Sequence, residues 1–128
     1  MIKERIKEMF DLEFIRRFVE DNIDFSDRTE EDCGETRRIL VIETLVSGSQ
    51  GAYIPGLVLD LFGRAEGFDI VDPYNWEANE TIYDALMSLE NEIDDALNEL
   101  LPSEGYYYVG FNEYDGSYCL FYEKAEQV

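Results

Sequence analysis

Residues 106–123 read YYYVGFNEYDGSYCLFYE: two aromatic, β-prone runs on either side of Tyr114-Asp115-Gly116. Asp-Gly favours a type I′ turn with a two-residue loop, so the stretch predicts a β-hairpin. That register sets Phe111 opposite Leu120 and Val109 opposite Tyr122. It also brings Tyr107 and Tyr118 onto the same face, so one face collects large apolar groups from both runs and the register is self-consistent. The other face carries Tyr106, Tyr108, Cys119 and Phe121. A lone hairpin is marginal in water, so this one must pack on helices or gain a third strand.

Upstream of the hairpin, residues 74–101 predict a long helix. Ile82, Leu86, Leu89, Ile93, Leu97 and Leu100 fall on one narrow stripe at helical spacing, Asp72-Pro73 marks the entry and Pro102 the end. Pro55 suits the first position of a short helix ending near Gly63, and residues 68–71 read as a short strand. At the N-terminus, Ile2, Ile6, Met9 and Phe10 recur at helical spacing. Asp11 is placed to cap a second segment carrying Leu12, Ile15, Phe18 and Val19. Residues 22–28 read as a loop. Thr29 followed by Glu30, Glu31 and Asp32 reads as a helix start, and Ile39, Ile42, Leu45 and Val46 continue a face. Residues 39–46 are therefore assigned to helix, with strand as the alternative because Ile-Leu-Val-Ile is β-prone. No repeat, linker or low-complexity tract divides the chain. The expected fold is a single α+β domain over residues 1–128, with N-terminal helices, one long acidic amphipathic helix and a C-terminal antiparallel β-hairpin or small three-stranded sheet.

The 128 residues carry a net charge of −20, yet 45% are hydrophobic and 14% aromatic. That is too much hydrophobe for a disordered acidic tail. The charge is unevenly placed. Residues 65–128 hold 16 acids and one base, Lys124, net −15, and no cation lies between Arg64 and Lys124. Those carboxylates are expected to face water or a partner. Charge of this size repels nucleic acid and anionic membranes and attracts basic proteins.

Catalytic signatures are missing. The chain has no histidine, which removes the commonest general base and metal ligand. Nucleophile-elbow and phosphate-binding glycine patterns are absent, and Gly48-Ser49-Gln50-Gly51 is a turn signal only. Asn112-x-x-Asp115-Gly116 lacks the glutamate and the ligand spacing of a calcium loop. The expectation is a protein that is not an enzyme and needs no cofactor or metal. Cys33 and Cys119 are read as free thiols. Residues 1–10 are charged and amphipathic, unlike a secretory signal, and no apolar run reaches the ~20 residues that span a bilayer, so a cytoplasmic protein is expected.

The long helix is the best candidate for function. With Ile93 at zero and about 100° per residue, the apolar stripe stays within about 40° of zero, while Glu77, Asp84 and Asp95 fall near 180°. Glu80, Asn91, Asn98 and Glu99 lie beside them, Glu92 and Asp94 flank them, and Glu90 borders the apolar stripe. Eight acids from Glu77 to Glu99 span about 33 Å, one per ~4 Å, against one per ~3.4 Å along a single DNA strand. A solvated face would ordinarily intersperse lysines at i, i+4, and here there are none. Adaptation to high salt is a second bland account, which the wealth of Ile, Phe, Tyr and Leu and the scarcity of Ala argue against. Tyr106, Tyr108 and Tyr114 are candidates for exposed contact, tyrosine being favoured where partners meet. Tyr107, Tyr118 and Tyr122 are assigned to the core.

In size, in the cation gap from Arg64 to Lys124 and in the acid-lined helix Glu77–Glu99, the chain resembles the small acidic inhibitors of phages and mobile elements, the anti-CRISPR and DNA-mimic anti-restriction proteins. The likeness is one of class, and no residue motif transfers. It implies an inhibitor that occupies the basic nucleic-acid-binding cleft of a defence nuclease or effector complex. In that case Glu77, Glu80, Asp84, Asp94, Asp95 and Glu99 pair with its arginines and lysines, and Tyr106, Tyr108 and Tyr114 add contacts. An immunity or antitoxin protein that neutralises a basic toxin is the alternative, and a homodimer is left open. An enzyme or small-ligand binder is the third reading, to be revived by an apolar pocket with convergent polar groups.

Overall fold

The Asp11 side chain accepts a hydrogen bond from the Phe14 amide at 3.1 Å and so starts a helix where the sequence places one. In the computed structural model, which describes residues 2–26, 28–32, 35–66 and 76–126, this helix is α2 (Leu12–Asn22). It follows α1 (Ile2–Met9) and precedes strands β1 (Arg28–Asp32) and β2 (Glu35–Val46). Next come α3 (Ile54–Leu61), the long α4 (Trp76–Leu100), and strands β3 (Tyr106–Phe111) and β4 (Tyr118–Glu126). The four strands form one antiparallel sheet in the order β1-β2-β4-β3. The α+β class is as expected, and the hairpin gains β2 as its third strand. The expected strand at residues 68–71 lies outside the described residues.

Periodicity explains how the layers meet. Ile82, Leu86, Leu89, Ile93 and Leu97 of α4 are buried. They share one core with Ile6, Ile15 and Val19 from the first two helices, Val58 and Leu59 of α3, and Tyr107, Val109, Tyr118, Leu120 and Tyr122 of the hairpin. Those hairpin residues all lie on one face of the sheet, so the helices cover that face. A smaller cluster of Ile39, Cys119 and Phe121 sits on the other face, packed with Val41 and Tyr108. Cys119 is a free, fully buried thiol.

Three local expectations are corrected. Residues 39–46 belong to β2, not to a helix, and Thr29–Asp32 lie within β1 rather than at a helix start. β2 runs between β1 and β4 and buries side chains on both faces, so it reads as a near-continuous apolar run. Its register also skips one residue between Val41 and Glu43 and another between Thr44 and Val46. Each bulge shifts the alternation by one, so Leu40, Ile42 and Leu45 pack on the helix-covered core while Ile39 and Val41 pack on the other face. Apolar residues of the two faces taken together fall at the Ile39, Ile42, Leu45 spacing of a helix.

The hairpin loop is the third correction. Val109 faces Leu120, Tyr107 faces Tyr122 and Phe111 faces Tyr118. The register is offset by two residues from the expected one, an even shift that keeps every side chain on its expected face. The loop is longer than Asp-Gly alone. The Asn112 amide bonds the Ser117 carbonyl at 2.7 Å, and the Gly116 amide returns to the Asn112 carbonyl at 2.8 Å. Gly116 takes φ +73°, where glycine is strain-free. The loop tip seats against Gly48, where any Cβ would collide with the Asp115 carbonyl oxygen.

Candidate functional site

Helix α4 positions most of the expected residues, but it does not use them alike. Glu80, Asp84 and Asp95 are exposed on its outward side, opposite the buried stripe. Among the described residues no ion pair reaches any of the three. Glu77 lies in α4 with its side chain outside the described set. Glu99 is exposed but holds Lys3 of α1 in an ion pair. Lys3 thereby supplies the cation that the last turn of α4 lacks, where a carboxylate otherwise opposes the helix dipole.

Not all carboxylates of the second half face water or a partner, as their number in sequence suggested. Arg64 reaches Glu92 at 3.1 Å, Arg37 reaches Glu123 at 2.8 Å and Lys124 reaches Glu104 at 3.3 Å. The half-buried Glu90 accepts a hydrogen bond from the Tyr118 hydroxyl at 3.0 Å, and burial raises its carboxyl above the ordinary range.

Asp94 is half-buried and turned inward. Its Oδ1 accepts the Val109 amide at 3.0 Å. One helical turn later, Asn98 accepts the Tyr107 amide at 2.9 Å and donates to the Tyr107 carbonyl at 2.8 Å. Four helical residues rise about 6 Å and two strand residues about 6.8 Å, so an i, i+4 pair on α4 matches an i, i+2 pair on β3. β3 is the edge of the sheet, and these are its outward backbone groups. Asp94 and Asn98 therefore close the edge much as another strand would. Burial, then the charges of Glu90 and Asp95, push the Asp94 carboxyl up to about 7 against the pull of the Val109 amide.

The tyrosines divide in a similar way. Tyr106 is exposed, stacks on Tyr108 at 6.3 Å, and Tyr108 stacks on Phe121 at 5.1 Å. Burial raises the Tyr106 phenol, and so do the charges of Asp94 and Asp95, which places this ring beside the acidic side of α4. Tyr108 is half-buried, while Tyr114 stands 80% exposed at the hairpin tip. Tyr107, Tyr118 and Tyr122 are core residues, as expected.

Two surface residues of α4 were missed. Tyr83 is 51% and Met87 63% exposed. On the same wheel they lie at about 80° and 120°, outside the apolar stripe and next to Glu80. That off-stripe position was the available signal. The uncompensated surface thus combines Glu80, Asp84 and Asp95 with the apolar pair Tyr83 and Met87. From Glu80 to Asp95 it runs about 22 Å, so its carboxylates are much sparser than phosphates on DNA. Among the described residues no cluster of Cys, Asp or Glu is arranged to hold a metal ion, and no helix is long and apolar enough to cross a membrane. The chain matches no family model, no curated protein and no solved structure.

Proposed function

We propose that this is a binding protein without catalytic activity, an acidic inhibitor that docks on the basic nucleic-acid-binding cleft of a defence nuclease or effector complex. The observation that carries the reading is the outward row Glu80, Asp84 and Asp95, which has no counter-ion among the described residues although Lys3, Arg37, Arg64 and Lys124 all pair with other acids. Those four cations are engaged elsewhere, and this row is left open to an external one. Its spacing supports charge complementarity rather than a copy of the phosphate backbone. Tyr83 and Met87 supply apolar contact amid the charge, as an interface needs.

The test is capture from the native host by wild type and by the triple variant Glu80→Gln, Asp84→Asn, Asp95→Asn. The wild type should retain a basic nuclease and inhibit it. Retention should fall at least tenfold between 50 and 500 mM salt. The triple variant should bind at least tenfold more weakly. A salt-insensitive complex, or one that the triple variant forms equally well, overturns the reading. Capture of a basic toxin instead would move the protein to the immunity class.

A further inference from the structure

A second feature lies apart from the acidic row. Between α2 and the connection from α4 to β3 runs a groove of about 390 Å³, near the lower end of small-molecule sites (~300–1,000 Å³). Its apolar walls include Val19, Ile23 and Leu101. It is also lined by two tyrosines, Tyr107 and Tyr122, that are only 2% and 3% exposed, their ring centroids 4.7 Å apart.

The hydroxyls of these tyrosines decide what the groove can hold. Tyr122 Oη already accepts the Gly105 amide at 2.9 Å, so what it has left to offer is its proton. Gly105 is needed for this approach, because a Cβ there would collide with that hydroxyl and with the Glu123 carbonyl. No hydrogen bond reaches the Tyr107 hydroxyl from the described residues, and no enclosed side-chain oxygen among them lacks a partner, so this hydroxyl opens into the groove instead of being sealed in the core. Burial, then the neighbouring Tyr122 phenol and the charge of Glu20, push that phenol up to about 12, so it stays a proton donor across the physiological range.

The rim sets the ligand's charge. Arg16 is held by Glu13 and Glu20, Lys124 by Glu104, and Asp24 adds a further carboxylate. The cations are neutralised, so the groove gives an anion little.

We propose that this groove is a binding site for a neutral, flat, largely apolar small molecule bearing one hydrogen-bond-accepting oxygen, seated with that oxygen toward the hydroxyls of Tyr107 and Tyr122. The apolar walls take the body of the ligand. The two phenols select the carbonyl or ether oxygen, because a ligand without it takes water away from the Tyr107 hydroxyl and offers no acceptor in return.

The full-length chain, labelled with ¹³C in its tyrosine rings, tests this by nuclear magnetic resonance. The probes are N-methylbenzamide, toluene and benzoate. N-methylbenzamide should shift the Tyr107 and Tyr122 signals saturably, with a dissociation constant in the millimolar range. Toluene, which lacks the acceptor, and benzoate, which is charged, should each bind at least fivefold more weakly. Tyr107→Phe should weaken N-methylbenzamide about fivefold and leave toluene unchanged. Asp24→Trp, at an exposed position on the rim whose side chain makes no hydrogen bond or ion pair among the described residues, should abolish binding of all three without changing the thermal unfolding transition. The proposal is overturned by shifts that never saturate or that spread evenly over all nine tyrosines, or by toluene binding as tightly as the amide. Full affinity in Tyr107→Phe or in a folded Asp24→Trp overturns it as well.

Discussion

Asp94 shows how one side chain can leave the role its position on a helical wheel suggests. By count it is one acid among eight on α4. In space it is the hydrogen-bond acceptor for the Val109 amide and half-buried. No single-residue property marks it in the sequence, because its partner is fixed only once the hairpin returns alongside the helix. Its titration follows from that placement. The folded carboxyl is pushed up to about 7 from an ordinary value near 3.8, chiefly by burial. Between those values the folded protein keeps a proton that the unfolded chain has lost. The contribution to stability is therefore complete below about pH 4 and lost as pH rises through about 7. Glu90, raised by its own burial, acts in the same direction. Asp94→Asn keeps an acceptor for Val109 and removes the charge. Relative to wild type it should gain about 1–2 kcal/mol at pH 8, a figure discounted because the carboxylate is partly open to water, and the gain should shrink toward pH 4. Urea midpoints at pH 5 and pH 8 for both proteins measure the difference. Equal pH slopes would show that Asp94 titrates normally.

At the scale of elements, legibility depended on whether local chemistry or long-range pairing set the pattern. α2 and α4 were readable because a cap, a proline stop and a 3.6-residue stripe are local. β2 was not, because its two bulges arise from pairing with β4 and its apolar residues, divided between both faces of the sheet, together fall at a helical spacing. The hairpin faces were legible and its loop was not: the Asn112–Ser117 closure depends on contacts that Asp-Gly alone does not signal. The pairing of α4 with the β3 edge is likewise long-range. Asn98→Ala should strip the Tyr107 amide and carbonyl of their partners and cost about 1–3 kcal/mol. Hydrogen exchange locates the effect. The Tyr107 amide should lose protection sharply, and Val109, still bonded to Asp94, should lose less. A uniform loss across the sheet would mean that Asn98 acts through packing instead. An exposed β3 edge should also promote self-association, visible as a concentration-dependent sedimentation profile.

Over the whole molecule, sequence gave the sign and the place of the charge but not its compensation. The cation gap from Arg64 to Lys124 is real in the chain and partly closed in space, because α1, the Arg64 segment and β2 bring Lys3, Arg64 and Arg37 to acids of the second half. What remains open is Glu80, Asp84 and Asp95. Two effects of salt then oppose each other. Screening relieves the self-repulsion of a chain at −20, so the fold should gain stability as NaCl rises from 10 mM to 1 M, where the Debye length falls from about 30 to about 3 Å. A rise in the thermal midpoint of roughly 5–10 °C is expected for a few kcal/mol of relief. The same screening weakens a complex held by complementary charge. Neutralising Glu80, Asp84 and Asp95 together should raise the midpoint at 10 mM NaCl and converge on wild type at 1 M, while lowering affinity for the captured partner. A row kept only for solubility would show the first effect without the second. A row kept by a cationic partner should show both, with the affinity loss largest at low salt, where the unbound fold gains most from the same substitutions.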